Sequence, residues 1–312
     1  MKFAVPLVFA MATFAQVAPQ PAIPAIVKAF DTHPVVAIGE SHGLREAGDF
    51  YIALIRDPAF QSKVNNIVIE FASRRSQPVV DRYINGENVP PPELAHIWRD
   101  TTKVFGWESP IYRDLLAAVR EVNRSLPPAR RLRVLAGDAP IDWKRVTTNE
   151  QWGEFQPNNE SFAKVIDDEV LAKRRRALVI LGSNHLTKGG DRDRDQDTTT
   201  LVEQKYPHSM FVALLIYSAP NDARQQMAAW TPPALFPVAG TWVAPLAYGK
   251  RQLSDSADAI LYLGLPLKTV DPDWSSYAND PDYMKELDRR SRIEWGCGFD
   301  QERWKKHQRP CP

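Results

Sequence analysis

The chain has 312 residues, of which 44% are hydrophobic and 25% are charged. This length and composition are typical of a globular protein with a sizeable buried core. The formal net charge of the chain is +1 at pH 7. Proteins that bind nucleic acid or an anionic membrane surface usually carry a large excess of basic residues, so this charge argues against either partner. We therefore expect a small-molecule or peptide substrate.

Residues 1–20 have the pattern of a signal peptide. A lysine is followed by the apolar run FAVPLVFAMATFA, which is too short to span a bilayer and ends among small residues. Ala12, Ala15 and Ala18 are candidate positions just before a cleavage. The pattern predicts export to the periplasm or the cell exterior. Residues 21–312 are expected to form one mature domain without a membrane-spanning segment.

Both cysteines, Cys297 and Cys311, lie near the C-terminus. An exported protein meets an oxidising compartment, where a disulfide closing this short loop would persist. Two free thiols are the alternative interpretation. Neither interpretation makes the cysteines catalytic, because no histidine or lysine is positioned to activate them.

Short apolar runs alternate with helical patterns along the chain. The runs predict strands at 35–38, 66–70, 132–138, 177–182, 210–217 and 258–264. Helical patterns cover 45–57, 77–86, 112–124, 161–176, 198–206 and 282–293, and in 198–206 the pair Thr200 and Glu203 has the spacing of a capping box. This alternation predicts an α/β fold with a mostly parallel central sheet and helices on both faces.

Two irregular regions are too long to be plain connections between elements. They cover residues 88–110, here called the first insertion, and 139–160, here called the second insertion. Long insertions in α/β proteins often act as lids. We expect both insertions to lie over the carboxyl ends of the strands.

Polar residues stand where four of the predicted strands end. They are Glu40 and His42 after the first strand, Glu70 after the second, Asp138 after the third and His185 shortly after the fourth. Parallel sheets bind ligands in the crevice outside the carboxyl ends of their strands. Buried carboxylates and imidazoles are costly unless they are paired. We therefore predict that these five side chains form one catalytic site.

The segment Gly39-Glu40-Ser41-His42-Gly43 also fits G-x-S-x-G, the nucleophile elbow of serine hydrolases. The chain order Ser41, Asp138, His185 matches the order of the α/β-hydrolase triad. However, the elbow of that fold follows a strand deep inside the sheet, whereas this segment follows the first strand. Nothing upstream supplies an oxyanion loop. The prediction is that Ser41 is not the nucleophile.

The motifs GESH and GSNH, both G-x-x-H directly after an apolar strand, resemble those of a known superfamily. Together with IVIEFAS and DAILYLG, they are similar to erythromycin-esterase-like, ChaN-like haem-uptake and Tiki (TraB) proteins. The esterase branch implies a histidine general base that activates water, a role that falls to His42. By the same resemblance Glu40 and Glu70 orient the water and imidazole, and His185 assists the oxyanion or leaving group. Arg74 is a candidate for binding an anionic group.

The other two branches imply different functions. The first motif is shorter than that of erythromycin esterases and looks more like the ChaN and Tiki branches. ChaN-like proteins bind haem, and Tiki-like proteins are metal-dependent peptidases. A metal-dependent site would use His42, His185 and Glu70 to hold Zn²⁺, Mn²⁺ or Co²⁺. The favoured prediction is a hydrolase of an ester or amide bond without a cofactor, with haem binding and a metallopeptidase as alternatives.

Tryptophans are concentrated in the two insertions. Trp98, Trp107, Trp143 and Trp152 all lie there. Core packing explains most tryptophans, but large aromatic side chains facing a cleft would favour a bulky, partly apolar substrate. Trp107 and Trp143 are the predicted substrate-binding aromatics.

Two charged runs are interpreted as solvated surface. The run KRRR at 173–176 is interpreted as the exposed end of a helix, where positive charge complements the helix dipole. The run DRDRDQD at 191–197 spaces its aspartates like a calcium loop. An EF-hand loop would need glycine and glutamate where Gln196 and Val202 stand. We expect a flexible loop beside His185.

Overall fold

The computed structural model describes residues 17–156, 158–188, 196–306 and 308–311. Residues 1–16 of the predicted signal peptide and residues 191–195 of the acidic run lie outside the described residues. None of the helices in the described ranges is both long enough and apolar enough to cross a bilayer.

The helices of the described chain are α1 (Ala22–Ala29), α2 (Arg45–Arg56), α3 (Pro58–Lys63), α4 (Gln77–Ile84), α5 (Pro91–Arg99), α6 (Pro110–Ser125), α7 (Asn149–Gly153), α8 (Asn159–Val165), α9 (Thr198–Lys205), α10 (Asn221–Met227), α11 (Trp274–Ala278), α12 (Pro281–Trp295) and α13 (Gln301–Lys305). A π-helical segment, Ile166–Leu171, continues α8. Short 3₁₀ turns follow β3 and β5 at Arg74–Ser76 and Ser183–His185.

The strands are β1 (Gln20–Pro21), β2 (Val35–Glu40), β3 (Asn66–Ser73), β4 (Arg133–Asp138), β5 (Ala177–Gly182), β6 (Met210–Leu215), β7 (Ala234–Pro237), β8 (Ala247–Tyr248), β9 (Arg251–Gln252) and β10 (Ala259–Tyr262). Eight of them form the main sheet in the order β1-β7-β10-β6-β2-β5-β3-β4. The pairs from β10 to β4 are parallel, whereas β7 pairs antiparallel with β10 and with β1.

Burial explains why the parallel strands were readable from the sequence. Every residue of β2, β3 and β5 is buried, as expected for strands covered by helices on both faces. Alternate residues of each strand point to opposite faces of the sheet and pack into two separate apolar cores. Val36 and Ile38 pack with α1 to α6, while Val35 and Ala37 pack with α8, the π-helical segment, α9 and α10. The predicted fold class is confirmed.

One predicted local signal is wrong. The capping box of Thr200 and Glu203 does not begin α9, because Asp197 is the N-cap and its carboxylate accepts the Thr200 N–H at 2.9 Å. Glu203 instead accepts the N–H groups of His208 and Met210 at 2.6 and 2.7 Å. An aspartate three residues earlier satisfies the free helix N–H equally well. The helix therefore begins about one turn before the position that the Thr200 and Glu203 pattern indicates.

The C-terminal helices pack against the two insertions. Glu294 in α12 accepts the Val104 N–H of the first insertion at 2.9 Å, and Asn149 of the second insertion donates to the Ile293 carbonyl at 2.9 Å. Val104, Ile293 and their neighbours form a third apolar core, separate from the two beside the sheet. The C-terminal segment therefore holds the insertions in position.

The predicted disulfide between Cys297 and Cys311 is present, with the two Cα atoms 5.9 Å apart. It closes a loop with a sequence separation of 14, and a bridge over such a loop contributes about 3 kcal/mol to the free energy of unfolding. Reducing agent should therefore lower the Tm of the wild-type protein by several degrees. The double variant Cys297→Ser/Cys311→Ser should unfold at that lower temperature with or without reductant. An unchanged wild-type Tm on reduction would contradict this expectation.

Candidate active site

The carboxyl ends of four strands meet at one edge of the sheet. In the order β2-β5-β3-β4, β5 lies between β2, which ends in Glu40, and β3, which carries Glu70 three residues before its end. The parallel register pairs Glu40 with Gly182, so these two residues stand side by side. The side chains of Glu40, His42, Glu70 and His185 are thereby brought to one cleft.

His42 lies between a carboxylate and an aromatic wall. Its Nδ1 is 3.0 Å from Glu40 Oε1, and its ring meets the indole of Trp107 edge to face, with the ring centroids 4.4 Å apart. The Glu40 side chain is buried, whereas the His42 side chain is 26% exposed. With Glu40 accepting an Nδ1–H, the unprotonated nitrogen of a neutral His42 ring is Nε2, which lies 3.9 Å from Glu70 Oε1.

Glu70 is the centre of the site. Its Oε2 accepts the Gly182 N–H at 2.6 Å, and its Oε1 is 3.4 Å from His185 Nε2 and 3.9 Å from His42 Nε2. Burial raises the pKa of this carboxyl, but the two histidines and the Gly182 N–H outweigh burial and bring the pKa to about 2. Glu70 is therefore an anion across the physiological pH range.

His185 is held at both ring nitrogens. Nδ1 is 2.7 Å from Asn159 Oδ1, and Nε2 faces Glu70. Burial lowers the pKa of His185. The charge and hydrogen bond of Glu70 raise this pKa by more than burial lowers it, so the net shift is upward. An amide oxygen at Nδ1 and a carboxylate at Nε2 both accept N–H bonds, which suits the protonated ring.

The position of Gly182 leaves little room for a side chain. A Cβ atom there would lie 3.0 Å from His42 Cε1 and 3.3 Å from Glu70 Oε2. Because β5 runs between β2 and β3, a side chain at its last residue would require His42 and Glu70 to shift by a few tenths of an ångström. The absence of a side chain at Gly182 thus leaves space for His42 and Glu70, and the Gly182 N–H donates a hydrogen bond to Glu70.

Asp138 connects the sheet to the insertions. It accepts the N–H and the hydroxyl of Thr102 at 2.6 and 2.8 Å and the amide of Asn158 at 2.7 Å. Among the described residues, its hydrogen bonds go to the two insertions and none goes to a histidine. Burial raises the pKa of Asp138 to about 7, with the negative charge of Glu70 adding to the shift and the Thr102 bonds opposing it.

The raised pKa of Asp138 predicts a pH-dependent stability. In the unfolded chain the carboxyl titrates near 3.8, and in the folded protein near 7. The stabilisation is complete below the unfolded value and is lost as pH rises through the folded value, by about 4 kcal/mol at most. Urea unfolding at pH 5 and pH 8 should show this decrease in wild type and a smaller decrease in Asp138→Asn. An identical decrease in both proteins would contradict the assignment.

The other predicted residues occupy different positions around the cleft. Trp107 is buried and contacts His42, whereas Trp143 is buried in the third core and donates its indole N–H to the Thr101 carbonyl at 2.8 Å. Arg74 is half-buried in the turn after β3 and has no ion pair with a described residue. The half-buried Ser41 makes no side-chain hydrogen bond to the described residues. Trp143 and Ser41 therefore stand apart from the contacts that join the histidines to Glu70.

Sequence reasoning missed three contributors. Asn159 and the Gly182 N–H have no sequence signal, because their contacts depend on where α8 and β5 pack. Lys103 was also missed. Its ammonium lies 5.4 Å from the centroid of the Trp107 ring, and its positive charge opposes the upward pKa shift of His185. The stretch Lys-Val-Phe-Gly-Trp at 103–107 has no pattern that places the lysine near the histidines.

The fold and the site define an α/β protein with a histidine–carboxylate cluster at the carboxyl edge of a parallel sheet. Residues 26–193, more than half of the chain, match the family described as haem-binding uptake, Tiki superfamily, ChaN. The chain belongs to this family, which confirms the resemblance seen in its motifs. None of the curated proteins matches the chain in sequence.

Solved structures share the architecture at low sequence identity. A succinoglycan biosynthesis protein is 11% identical, with a TM-score of 0.58 over 80% of this chain and 94% of its own. An erythromycin esterase mutant in its open conformation is also 11% identical, with a TM-score of 0.56 and the same coverage of 80% and 94%. ChaN of Campylobacter jejuni, with cofacial haem, is 15% identical over 76% of this chain and 90% of its own, with a TM-score of 0.44. At these identities the first two likenesses extend to the fold alone.

Proposed function

We propose that this chain is a hydrolase that cleaves an ester or amide bond with a water molecule activated by His42. One observation carries the proposal. The Nε2 atoms of His42 and His185 face the same oxygen of Glu70, at 3.9 and 3.4 Å, while each Nδ1 is held by its own acceptor. Two imidazoles fixed in this way beside one buried carboxylate can divide the roles of base and acid between them.

In this proposal His42 is the general base. Glu40 accepts a hydrogen bond from Nδ1–H. Its negative charge stabilises the imidazolium that forms when Nε2 takes a proton from water. The 3.9 Å between Nε2 and Glu70 Oε1 is too long for a hydrogen bond, so the Nε2 lone pair is available to a water molecule. Glu70 remains ionised and adds electrostatic support to the developing positive charge on His42.

His185 is the proposed partner of the substrate oxygen. Its raised pKa favours the protonated ring, whose Nε2–H faces the cleft beside Glu70. When water adds to the substrate carbonyl, this N–H can stabilise the oxyanion or protonate the leaving group. If His185 only stabilises the oxyanion, the proton taken by His42 passes to the leaving group. If His185 protonates the leaving group, the proton taken by His42 returns to His185, so in both cases the site regains its starting state.

The remaining predicted residues receive supporting roles in this proposal. Trp107 is only 2% exposed, so it supports the His42 ring instead of offering a surface to the substrate. Arg74 binds an anionic group if the substrate carries one. We propose that Asp138 and Trp143 position the insertions over the cleft, since their hydrogen bonds are to Thr102, Asn158 and Thr101.

Haem binding is the second candidate, favoured by the description of the family. The two histidines do not fit as axial ligands, because their Nδ1 atoms are bonded to Glu40 and Asn159 and their Nε2 atoms face the buried Glu70. Tyr217, just after β6, is 47% exposed, and phenolates can hold haem iron. A haem complex would therefore leave the histidine cluster unused.

A metal-dependent peptidase is the third candidate. Its ligands would be His42, His185 and Glu70, with the metal supplying a water of lowered pKa. In the arrangement of the described residues, no group of three histidine, cysteine, aspartate or glutamate side chains is spaced to hold a metal ion. Glu70 is also bonded to the Gly182 N–H. We therefore derive no step through a metal.

Export is part of the proposal. The signal-peptide pattern at 1–20 is consistent with the disulfide in the tail, since disulfides persist mainly outside the cytosol. The periplasm or the cell exterior is the proposed location.

One experiment separates the three candidates. Purified mature protein is assayed against a panel of esters and amides, with and without a chelator, and is titrated separately with haem. The proposed hydrolase turns over at least one substrate, and the chelator leaves the rate unchanged. Turnover that disappears on chelation and returns with Zn²⁺, Mn²⁺ or Co²⁺ identifies the peptidase. A stoichiometric haem spectrum without any turnover identifies the binding protein and overturns the proposal.

A further inference from the structure

A cavity of about 660 Å³ opens at the amino edge of the sheet, where β2, β5 and β6 begin. The histidine cluster lies at the opposite, carboxyl edge. Cationic side chains dominate the lining, which we call the basic cavity: Lys63, Arg174, Arg175, Arg176 and Lys205. They come from three separate segments of the chain, so only the fold brings them together.

The positive charge of the basic cavity is only partly neutralised. Lys63 pairs with Asp31 at 2.5 Å, and Lys205 pairs with Asp167 at 3.0 Å. The ion pairs between described residues include none for the three arginines at 174–176. Like charges held together at the rim of a cavity repel one another, and a bound anion would relieve that repulsion.

Two lining residues also have a strained backbone. Arg174 and His208 have φ angles of +53° and +60°, in the left-handed region that glycine or asparagine normally occupies. Arg174 follows the π-helical segment, and the hydrogen bonds of Arg174 N to Leu171 O and Arg175 N to Val170 O close that helix end at 3.0 and 2.9 Å. Glycine is the usual residue at this position of a helix end. An arginine with this backbone conformation is less stable than glycine would be, and it places a basic side chain at the cavity.

A buried hydroxyl adds a hydrogen-bonding group. Ser209, which lines the cavity, is 6% exposed, and its Oγ has no hydrogen-bond partner among the described residues. Buried polar groups without a partner are rare. A rotation of this hydroxyl can present it to a ligand next to the arginines.

We propose that the basic cavity binds a phosphate group, carried either by a soluble phosphate ester or by a phospholipid headgroup. Arginine guanidinium groups match phosphate oxygens in two-point hydrogen bonds, and three arginines suit a dianion better than a single carboxylate. The run at 173–176 is then more than a solvated helix end. This inference is independent of the proposed hydrolysis at the opposite edge.

The test uses diphosphate as the probe and two variants that each remove one positive charge. Arg174→Gly removes a lining arginine and relaxes the left-handed backbone. Lys173→Gln removes a lysine of the same run that pairs with Glu169 at 2.8 Å and does not line the cavity. By calorimetric titration at low salt, Arg174→Gly should bind diphosphate about tenfold more weakly than wild type, while its Tm is unchanged or higher. Lys173→Gln should bind like wild type.

A second arm distinguishes the sources of the phosphate. The protein is sedimented with vesicles of phosphatidylcholine, with and without phosphatidylglycerol. Retention by the phosphatidylglycerol vesicles that is lost in Arg174→Gly identifies a headgroup, and diphosphate binding without retention identifies a soluble ester. Absence of saturable diphosphate binding, or equal weakening in both variants, would overturn the proposal.

Discussion

Replacing His42 with alanine is expected to lower kcat for ester hydrolysis by about 10²–10⁴-fold, the usual contribution of a positioned general base. The loss is expected in kcat because the neighbouring carboxylate of Glu70, with a pKa of about 2, is too weak a base to replace the imidazole. Glu70 is ionised but is engaged by the Gly182 N–H. His185 is bonded at Nδ1 and faces Glu70 at Nε2.

The matched control is Ser41→Ala, one residue away. Ser41 has no side-chain hydrogen bond to the described residues, so its removal should leave kcat within a few-fold of wild type. Both variants are checked for an unchanged Tm before assay. A dead Ser41→Ala protein beside an active His42→Ala protein would mean that the segment is a nucleophile elbow and that water does not attack the substrate directly.

Glu70→Gln is expected to produce the second large effect, a decrease in kcat of about 100-fold. The amide has nearly the shape of the carboxylate but no charge, so both imidazoles lose the anion that stabilises their protonated forms. Glu70 raises the pKa of His185, and its loss must lower that pKa. The rate depends on protonated His185, so the alkaline limb of the pH–rate profile should move to lower pH.

A half-buried carboxylate that makes no ion pair with either histidine of the site serves as the control. Glu294 has a pKa raised to about 7 by burial, opposed by its hydrogen bond from Val104, and it lies in α12. Glu294→Gln should change stability but leave the alkaline limb of the profile in place. An alkaline limb that stays fixed in Glu70→Gln would show that His185 is not the acid of the reaction.

The part of the site that could be predicted depends on strand ends. Completely buried parallel strands appear as continuous apolar runs, so their last residues can be located from sequence to within three positions, the largest difference being at β3, predicted to end at 70 and observed to end at Ser73. A polar residue directly after such a run, as at Glu40 or Glu70, must then lie at the carboxyl edge of the sheet. This geometric rule brought together His42 and His185, which are far apart in the chain.

The part that could not be predicted depends on strand order and packing. Only the placement of β5 between β2 and β3 puts Gly182 beside His42 and Glu70 and lets its N–H donate a hydrogen bond to Glu70. The hydrogen bond from His185 Nδ1 to the Asn159 amide oxygen requires the packing of α8 on the sheet. Trp143 was expected at the cleft but lies under α12. This position could not be predicted, because nothing in the second insertion signals that the C-terminal helices cover it.

The edge of the sheet was a further difficulty. β1 and β7 have 2 and 4 residues, too few for a periodic pattern, and β7 runs antiparallel to its neighbours. Of the two, β1 lies at the edge of the sheet and both of its residues are exposed, so it needs no apolar run. Sequence reasoning therefore found the parallel centre of the sheet and missed its antiparallel border.

The most direct test of the central claim is a search for a covalent intermediate. Protein turning over the best ester of the panel is acid-quenched at intervals from the first turnover to steady state, and its intact mass is measured. Direct attack by a water activated by His42 predicts no mass increase at any time. A species heavier by one acyl group, located on Ser41 and absent from Ser41→Ala, would contradict the account.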